Sequence, residues 1–139
     1  MDNGVVFFII AIIIIGILVF LSTFLTGRHG YKFNTKDYQA RFLKIENNLI
    51  KNNPTSYPLA IIEGDKLIDK ALTELGISGK TMGERLKKSR NRFSDINSVW
   101  RAHKLRNIIS HEPDYELNYL QAKRALEIYK TALKDLGAI

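Results

Sequence analysis

Residues 5–25 form a run of 21 residues without a charged side chain, VVFFIIAIIIIGILVFLSTFL. Only Gly16, Ser22 and Thr23 interrupt its apolar character. As an α-helix this run would be about 31 Å long, which matches the hydrocarbon core of a bilayer. A helix of this length in the core of a soluble protein would show a polar face, and this run has none. The run therefore predicts a transmembrane helix that holds the chain in a membrane.

A cleaved signal peptide is the main alternative for the same residues. The preceding segment, MDNG, contains no Lys or Arg, and the apolar run is long for a signal. No small-x-small cleavage site follows it. These three features favour the membrane anchor over the signal peptide.

The charges that flank the run predict its orientation. Asp2 is the only charged residue before it, whereas Arg28, Lys32 and Lys36 follow it closely. Positive charge is retained on the cytoplasmic side of membranes. We therefore expect a single-pass protein of the cell membrane, with its N-terminus outside and residues 26–139 in the cytoplasm.

The rest of the chain shows helical periodicity and no strand alternation. Ile61, Ile68 and Leu72 recur at helical spacing, and Gly76 and Pro113 are natural helix ends. We predict an all-α fold, with a single N-terminal transmembrane helix followed by a four-to-five-helix up-down bundle. The predicted segments are a short N-terminal tail (1–4), the transmembrane helix (5–25), a juxtamembrane linker (26–34) and the bundle (35–139). The predicted bundle helices are 36–51, 57–75, the short segment TMGERLKKSR, Ser94 or Asp95 to His111, and a last helix capped by Asp114.

The positive charge of the chain, a net of +7, is concentrated in one block. Between Lys80 and Arg106, basic residues far outnumber the two acidic residues Glu84 and Asp95. Such a block suits a polyanion, either nucleic acid or anionic lipid headgroups. The alternative is a solvated basic face, which charge runs usually are.

Several kinds of site are excluded by the residues present. The chain has no P-loop, no dinucleotide-binding fingerprint and no cysteine, which removes thiolate metal sites and cysteine nucleophiles. His103 and His111 are eight residues apart, about 12 Å along a helix, too far to share one metal ion within a chain. We therefore predict no metal and no cofactor.

The predicted helix that ends at His111 carries a polar face. His103, Asn107 and His111 follow one another at i, i+4 spacing and so lie along one side of the helix. Arg106 is five residues before His111, roughly 140° away around an ideal helix. These two residues converge only if the helix loosens before Pro113, or if a second protomer supplies one of them.

Ordinary structural roles are the alternative for these residues. A histidine in the last turn of a helix interacts favourably with the helix dipole. Arg106 would pair with Glu112 or with a neighbouring helix, and Asn107 would satisfy a backbone group. The chemistry of the side chains alone favours these structural roles.

The segment Arg106-Asn107-Ile-Ile-Ser-His111 resembles the motif of the HEPN superfamily (higher eukaryotes and prokaryotes nucleotide-binding). That motif is an Arg, four to six residues and a His, commonly with a polar residue directly after the Arg. The family fold is an all-α bundle of about four helices, with the motif at the end of the penultimate major helix. Residues 35–139 show the same order of predicted helices.

The resemblance implies a metal-independent ribonuclease or a nucleotide-binding protein without activity, usually a dimer. His111 would act as a general base or acid, Arg106 would stabilise the scissile phosphate, and Asn107 would orient one of them. In a homodimer two motifs would meet in one cleft. The side chains implied to hold the RNA backbone are Lys87, Lys88, Arg90, Arg92, Arg101 and Lys104.

Two features depart from the family. Some branches carry a Tyr two residues after the His, whereas this chain has Pro113 there and its nearest tyrosine is Tyr115. A membrane anchor is not a general family feature, and it points to local action or to a scaffold. The alternative function is a non-enzymatic membrane-tethered adaptor that binds a protein partner and anionic lipid through its basic face.

Overall fold

The structure, a computed structural model, describes residues 3–26 and 31–139. All regular structure within these two ranges is helical, with no strand, which confirms the predicted fold class. The chain divides into two compact units, 1–31 and 32–139, and the boundary falls inside the predicted linker. Arg28 and the rest of linker residues 27–30 lie outside the described residues, as do residues 1 and 2 of the predicted tail.

The first unit consists of one long helix, α1 (Asn3–Thr26). Its stretch Gly4–Ser22 is long and apolar enough to cross a membrane, and none of that stretch is buried inside the protein. An apolar stretch that is not buried inside the protein is expected for a helix that faces lipid. Length and composition alone do not distinguish an anchor from a signal sequence, so the anchor over residues 5–25 stays a prediction.

The second unit, 32–139, is a helical bundle built around one central helix. That helix is α3, which packs against four others, α2, α4, α5 and α6. The helices of the bundle are α2 (Thr35–Asn48), α3 (Ser56–Glu74), α4 (Met82–Lys88), a 3₁₀ turn (Arg90–Arg92), α5 (Ile96–His111) and α6 (Tyr119–Asp135).

The core of the bundle follows the apolar periodicity of the sequence. Ile61, Ile68 and Leu72 of α3 are fully buried, as are Tyr129 and Leu133 of α6. Burial of a large apolar side chain contributes about 1.5–3 kcal/mol. Packing of α3 against α6 is therefore a main source of the stability of the bundle.

Gly64 allows α3 and α6 to approach closely. A Cβ atom built on Gly64 would lie only 2.5 Å from Cδ2 of Tyr129 and 3.3 Å from a methyl group of Leu126. The missing side chain thus makes room for the Tyr129 ring. This places the Tyr129 hydroxyl beside the next residue of α3, Asp65.

The loop between α3 and α4 is held by a helix cap at each end. Gly76 has a positive φ of 74°, which glycine adopts at low cost, and its N–H donates to Thr73 as the helix ends. The Thr81 hydroxyl then accepts a hydrogen bond from the Glu84 N–H and begins α4. These two caps fix the direction of the short loop between the helices.

The predicted start of the last helix was wrong. Asp114 does not cap it, because residues 112–118 are not helical and α6 begins at Tyr119. Asn118 and Gln121 form a capping box, in which each side chain bonds to the backbone of the other residue. This pair satisfies the first N–H groups of α6 more completely than a single aspartate can. The helix therefore starts four residues later than the proline suggested.

Candidate functional site

An open cleft of about 780 Å³ lies where α3, α4 and α5 meet. The half-buried Trp100 and the polar side chains of His103 and Asn107 line it. Acidic side chains are few, namely Asp65 and Asp69, and both belong to α3. The basic residues that line the cleft are Lys66, Lys80, Arg85, Arg101, Lys104 and Arg106.

A buried carboxylate organises the floor of the cleft. The Asp65 side chain is only 5% exposed. His103 Nδ1 lies 3.0 Å from Asp65 Oδ1, and the Tyr129 hydroxyl donates to the same oxygen at 3.3 Å. Arg106 Nε lies 3.6 Å from Asp65 Oδ2, a distance for an ion pair rather than a hydrogen bond. A carboxylate buried in this way is tolerated because three groups compensate its lost hydration.

The donors and acceptors around Asp65 form a closed ring. Arg106 Nη1 donates to Asn107 Oδ1 at 3.0 Å, so the amide nitrogen of Asn107 faces His103. That nitrogen lies 3.3 Å from His103 Nε2 and donates to it. Nε2 is then the acceptor nitrogen, and Nδ1–H donates to Asp65. We call these four residues and Tyr129 the Asp65 network.

Arg85 lines the cleft, but its positive charge is paired with Asp69. Its Nε and Nη2 donate to the two carboxylate oxygens of Asp69, at 2.7 and 2.9 Å. This paired hydrogen bond raises the pKa of the Arg85 guanidinium above its ordinary value. The carbonyl of Gly79 accepts a further hydrogen bond from Arg85. Arg85 therefore fastens α4 and the preceding loop to α3.

Lys80 and Lys104 are the cations best placed to receive a ligand. Both side chains are exposed and line the cleft. Within residues 31–139, neither ammonium group makes a hydrogen bond or an ion pair. An anion bound between them would not need to break an existing contact.

The structure separates the residues implied to hold RNA into two groups. Arg101 and Lys104 line the cleft, as do Arg106 and Asn107. The other four do not line it. They are exposed at the end of α4 and in the 3₁₀ turn that follows, and we call them the turn cluster: Lys87, Lys88, Arg90 and Arg92.

His111 is not brought together with Arg106 within the chain. It is the last residue of α5, it is exposed, and it borders a different surface depression with Glu112 and Asp114. The regular helix keeps Arg106 on the side that faces Asp65, as the angle between the two positions predicts. A site that unites Arg106 with His111 therefore needs a second protomer, and the predicted homodimer stays a prediction.

Two members of the Asp65 network were missed in the sequence. Asp65 lies in the buried stripe of α3, between Ile61 and Ile68, where a carboxylate is unexpected. That break in the apolar pattern was the available signal. Tyr129 gave none, because a tyrosine in an apolar stripe is an ordinary core residue.

The buried Tyr129 hydroxyl should make the stability of the bundle depend on pH in the alkaline range. Burial, and then the nearby Asp65, raise the pKa of Tyr129 above the ordinary value of 10.0. The folded chain therefore keeps the phenol protonated where the unfolded chain loses its proton. We expect the free energy of unfolding to fall as the pH rises above the ordinary value. Urea unfolding at several pH values should show that the free energy of unfolding falls less steeply with pH in Tyr129→Phe than in the unchanged chain. Equal slopes in the two proteins would contradict this prediction.

The arrangement combines basic side chains that line the cleft with a histidine held by a buried carboxylate. Among the described residues, no group of three or more His, Asp or Glu side chains is placed to hold a metal ion. Comparison of the chain with protein-family models, with curated proteins and with solved structures finds no match.

Proposed function

We propose that the bundle is a HEPN-like domain that binds RNA or a nucleotide through its phosphates, in the cleft between α3, α4 and α5. The observation that carries this proposal is that Lys80 and Lys104 line the cleft as two exposed cations without partners among residues 31–139. Phosphate contacts of this kind supply most of the affinity in sequence-independent binding of nucleic acids.

The shape of the cleft suits a nucleotide better than a bare anion. Trp100 lines the cleft and is half-buried. Its ring and the His103 ring make an edge-to-face contact, with 5.9 Å between their centroids. A partly exposed indole offers a surface on which a nucleobase can stack. Charge for the phosphate and an aromatic surface for the base therefore lie in one cleft.

Ribonuclease activity forms the second part of the proposal. In the arrangement implied by the family motif, Arg106 and Asn107 contribute from one protomer and His111 from the other. The exposure of His111 is compatible with this arrangement, since a partner could reach it. A His111→Ala variant that cleaves RNA as fast as the unchanged chain would contradict the role of His111.

Binding is tested with the full chain in neutral detergent and a labelled 2′-O-methyl oligoribonucleotide, which RNA cleavage through the 2′-hydroxyl cannot consume. The change is Lys80→Ala together with Lys104→Ala. We expect about a tenfold or greater loss of affinity and a shallower dependence on salt, because two phosphate contacts are removed. Fluorescence anisotropy at several salt concentrations measures both quantities.

The matched control replaces two cations of the turn cluster, Lys87→Ala and Arg90→Ala, so that the net charge falls by the same amount. The cleft proposal expects these to affect affinity much less than the cleft variant. A loss of affinity that is equal in both variants would mean that net charge, rather than the cleft, determines binding.

The turn cluster favours a second function, an adaptor that lies on anionic lipid. Its four basic side chains are exposed and separate from the cleft. A basic cluster that approaches an anionic membrane surface gains about 1 kcal/mol per cation. This function would be supported if the bundle binds vesicles only when they contain anionic lipid and loses this binding when the four basic residues of the turn cluster are neutralised.

We further propose that α1 crosses the cell membrane once, with the bundle in the cytoplasm. The flanking charges support this orientation, since Lys32 and Lys36 follow α1 and no basic residue precedes it. In sealed cells the bundle should resist added protease and become sensitive after lysis. Digestion in sealed cells would contradict the orientation.

A further inference from the structure

His103 is the histidine that the fold places in the cleft. Its side chain is 12% exposed, and it lies on α5 between Trp100 and Asn107. The motif histidine, His111, lies on a different part of the surface. If the cleft holds a phosphate ester, the imidazole of His103 is the group beside it that can accept and return a proton.

Asp65 fixes how His103 presents itself to the cleft. His103 Nδ1 lies 3.0 Å from Asp65 Oδ1 and 3.2 Å from Oδ2, and these contacts hold the ring with Nε2 toward Asn107. A buried carboxylate behind an imidazole also stabilises the imidazolium that forms when Nε2 takes a proton. A histidine that acts as a general base requires both a fixed ring orientation and stabilisation of its imidazolium form.

His103 borders the open space of the cleft together with Gly83, Trp100 and Asn107. Gly83 of α4 lies close to Nε2, since a methyl group placed on Gly83 would lie 3.9 Å from it. The hydrogen bond from Asn107 to Nε2 is long, at 3.3 Å, so a hydroxyl group can replace it at small cost. Arg106, which is 31% exposed, lies on the other side of Asn107 and brings a positive charge to the same place.

We propose that His103, oriented by Asp65, is the proton-accepting group for RNA cleavage in the cleft of a single protomer. This inference rests on the proposed binding of RNA phosphates there. It assigns the proton-accepting role to His103 of one chain in place of His111 of a second protomer. Asp65 acts through His103 as a positioning residue.

The proposed step is an internal transesterification. His103 Nε2 accepts the proton of a ribose 2′-hydroxyl, and the 2′-oxygen forms a bond to the adjacent phosphorus. The bond from phosphorus to the 5′-oxygen breaks, and that oxygen keeps the electron pair and takes a proton from water. The products are a 2′,3′-cyclic phosphate and a 5′-hydroxyl. His103 then returns its proton to the hydroxide that remains. Arg106 stabilises the added negative charge on the phosphoryl oxygens.

The test uses the full chain in detergent and a labelled DNA oligonucleotide that contains one ribonucleotide. The variant is His103→Gln, which can still hydrogen-bond to Asp65 but cannot transfer a proton. We expect cleavage at the ribonucleotide by the unchanged chain and about a 100-fold or greater loss in the variant, the usual size of a general-base contribution. Affinity for the 2′-O-methyl oligoribonucleotide should stay within about threefold, because glutamine removes no positive charge from the cleft.

A second variant, Asp65→Asn, separates positioning from folding. Its amide can donate to Nδ1, which would move the proton to Nε2 and leave no base. We expect kcat to fall while KM stays within about threefold, whereas loss of the fold would abolish both cleavage and binding. Circular dichroism confirms that each variant is folded. Lys44→Ala, on α2 and outside the cleft, is the matched control and should cleave like the unchanged chain.

Three results would overturn the inference. Cleavage by folded His103→Gln at the rate of the unchanged chain would exclude His103 as the base. Binding of the 2′-O-methyl oligoribonucleotide without cleavage of the ribonucleotide substrate would refute the activity and leave the proposed binding function intact. No binding at all would overturn the proposed function and this inference together.

Discussion

Replacing Asp65 by alanine is expected to lower the free energy of unfolding of the bundle by about 3–5 kcal/mol. The carboxylate is almost fully buried, and three groups depend on it: His103 Nδ1–H, the Tyr129 hydroxyl and the Arg106 guanidinium. Alanine leaves all three without their partner, and one of them is charged. Arg106 Nε is already a buried nitrogen without a hydrogen bond among the described residues, so the loss of Asp65 is especially costly for it.

This loss is measured by urea unfolding of the full chain in detergent. Trp100 fluorescence follows the bundle and not α1, because Trp100 is the single tryptophan of the chain and belongs to α5. The matched control is Glu63→Ala, which removes an exposed ion pair with Lys66 at 3.0 Å on the same helix. We expect that control to cost well under about 1 kcal/mol. Losses of similar size would show that the Asp65 network does not stabilise the fold.

Replacing Gly64 by alanine is expected to destabilise the bundle by about 1–3 kcal/mol. The new methyl group would lie 2.5 Å from Cδ2 of Tyr129, which is too close for two non-bonded carbon atoms, so α3 or the ring must move. The ring has little freedom, because it is fully buried and its hydroxyl donates to Asp65. The gain in helix propensity from glycine to alanine, about 1 kcal/mol, opposes this cost and does not outweigh it.

Gly83→Ala is the control for this prediction. Gly83 also lies in a helix, but a methyl group there would meet Trp100 at 3.4 Å and His103 Nε2 at 3.9 Å, both ordinary contacts. We therefore expect unchanged or slightly higher stability for Gly83→Ala in the same urea titration. A destabilisation of Gly83→Ala equal to that of Gly64→Ala would contradict the close packing of α3 on α6.

The positions of the core helices could be predicted because apolar periodicity determines them directly. Ile61, Ile68 and Leu72 occupy one stripe of α3 in the sequence and are fully buried in the bundle. The start of α6 could not be predicted in the same way. Pro113 marks the end of one helix but does not indicate where the next helix begins. The start of α6 is set by the capping box of Asn118.

The candidate site was predictable only where its residues share a helix. The i, i+4 spacing of His103 and Asn107 correctly indicated two neighbouring side chains, which lie 3.3 Å apart. The partner of His103 comes from α3, 38 positions away in sequence, and helix periodicity carries no information about such a contact. The ion pair of Arg106 with Asp65 agrees with the structural alternative, in which the arginine pairs with a neighbouring helix.

The two roles of the Asp65 network are compatible. The contacts of the buried Asp65 carboxylate stabilise the bundle. The same contacts hold the His103 ring in the orientation that the proposed chemistry requires. The fold places these contacts beside Lys80 and Lys104, which have no other partner within residues 31–139. Whether this cleft receives RNA phosphates is the central claim, because the proposed chemistry depends on it.

Trp100 fluorescence tests this claim most directly, since the single tryptophan of the chain lines the cleft. The labelled 2′-O-methyl oligoribonucleotide is added to the full chain in detergent, and Trp100 emission and anisotropy of the label are recorded in one titration. We predict that Trp100 emission changes and that both signals saturate at the same RNA concentration. Anisotropy that saturates while Trp100 emission stays constant would place the RNA elsewhere on the chain and contradict the cleft as its site.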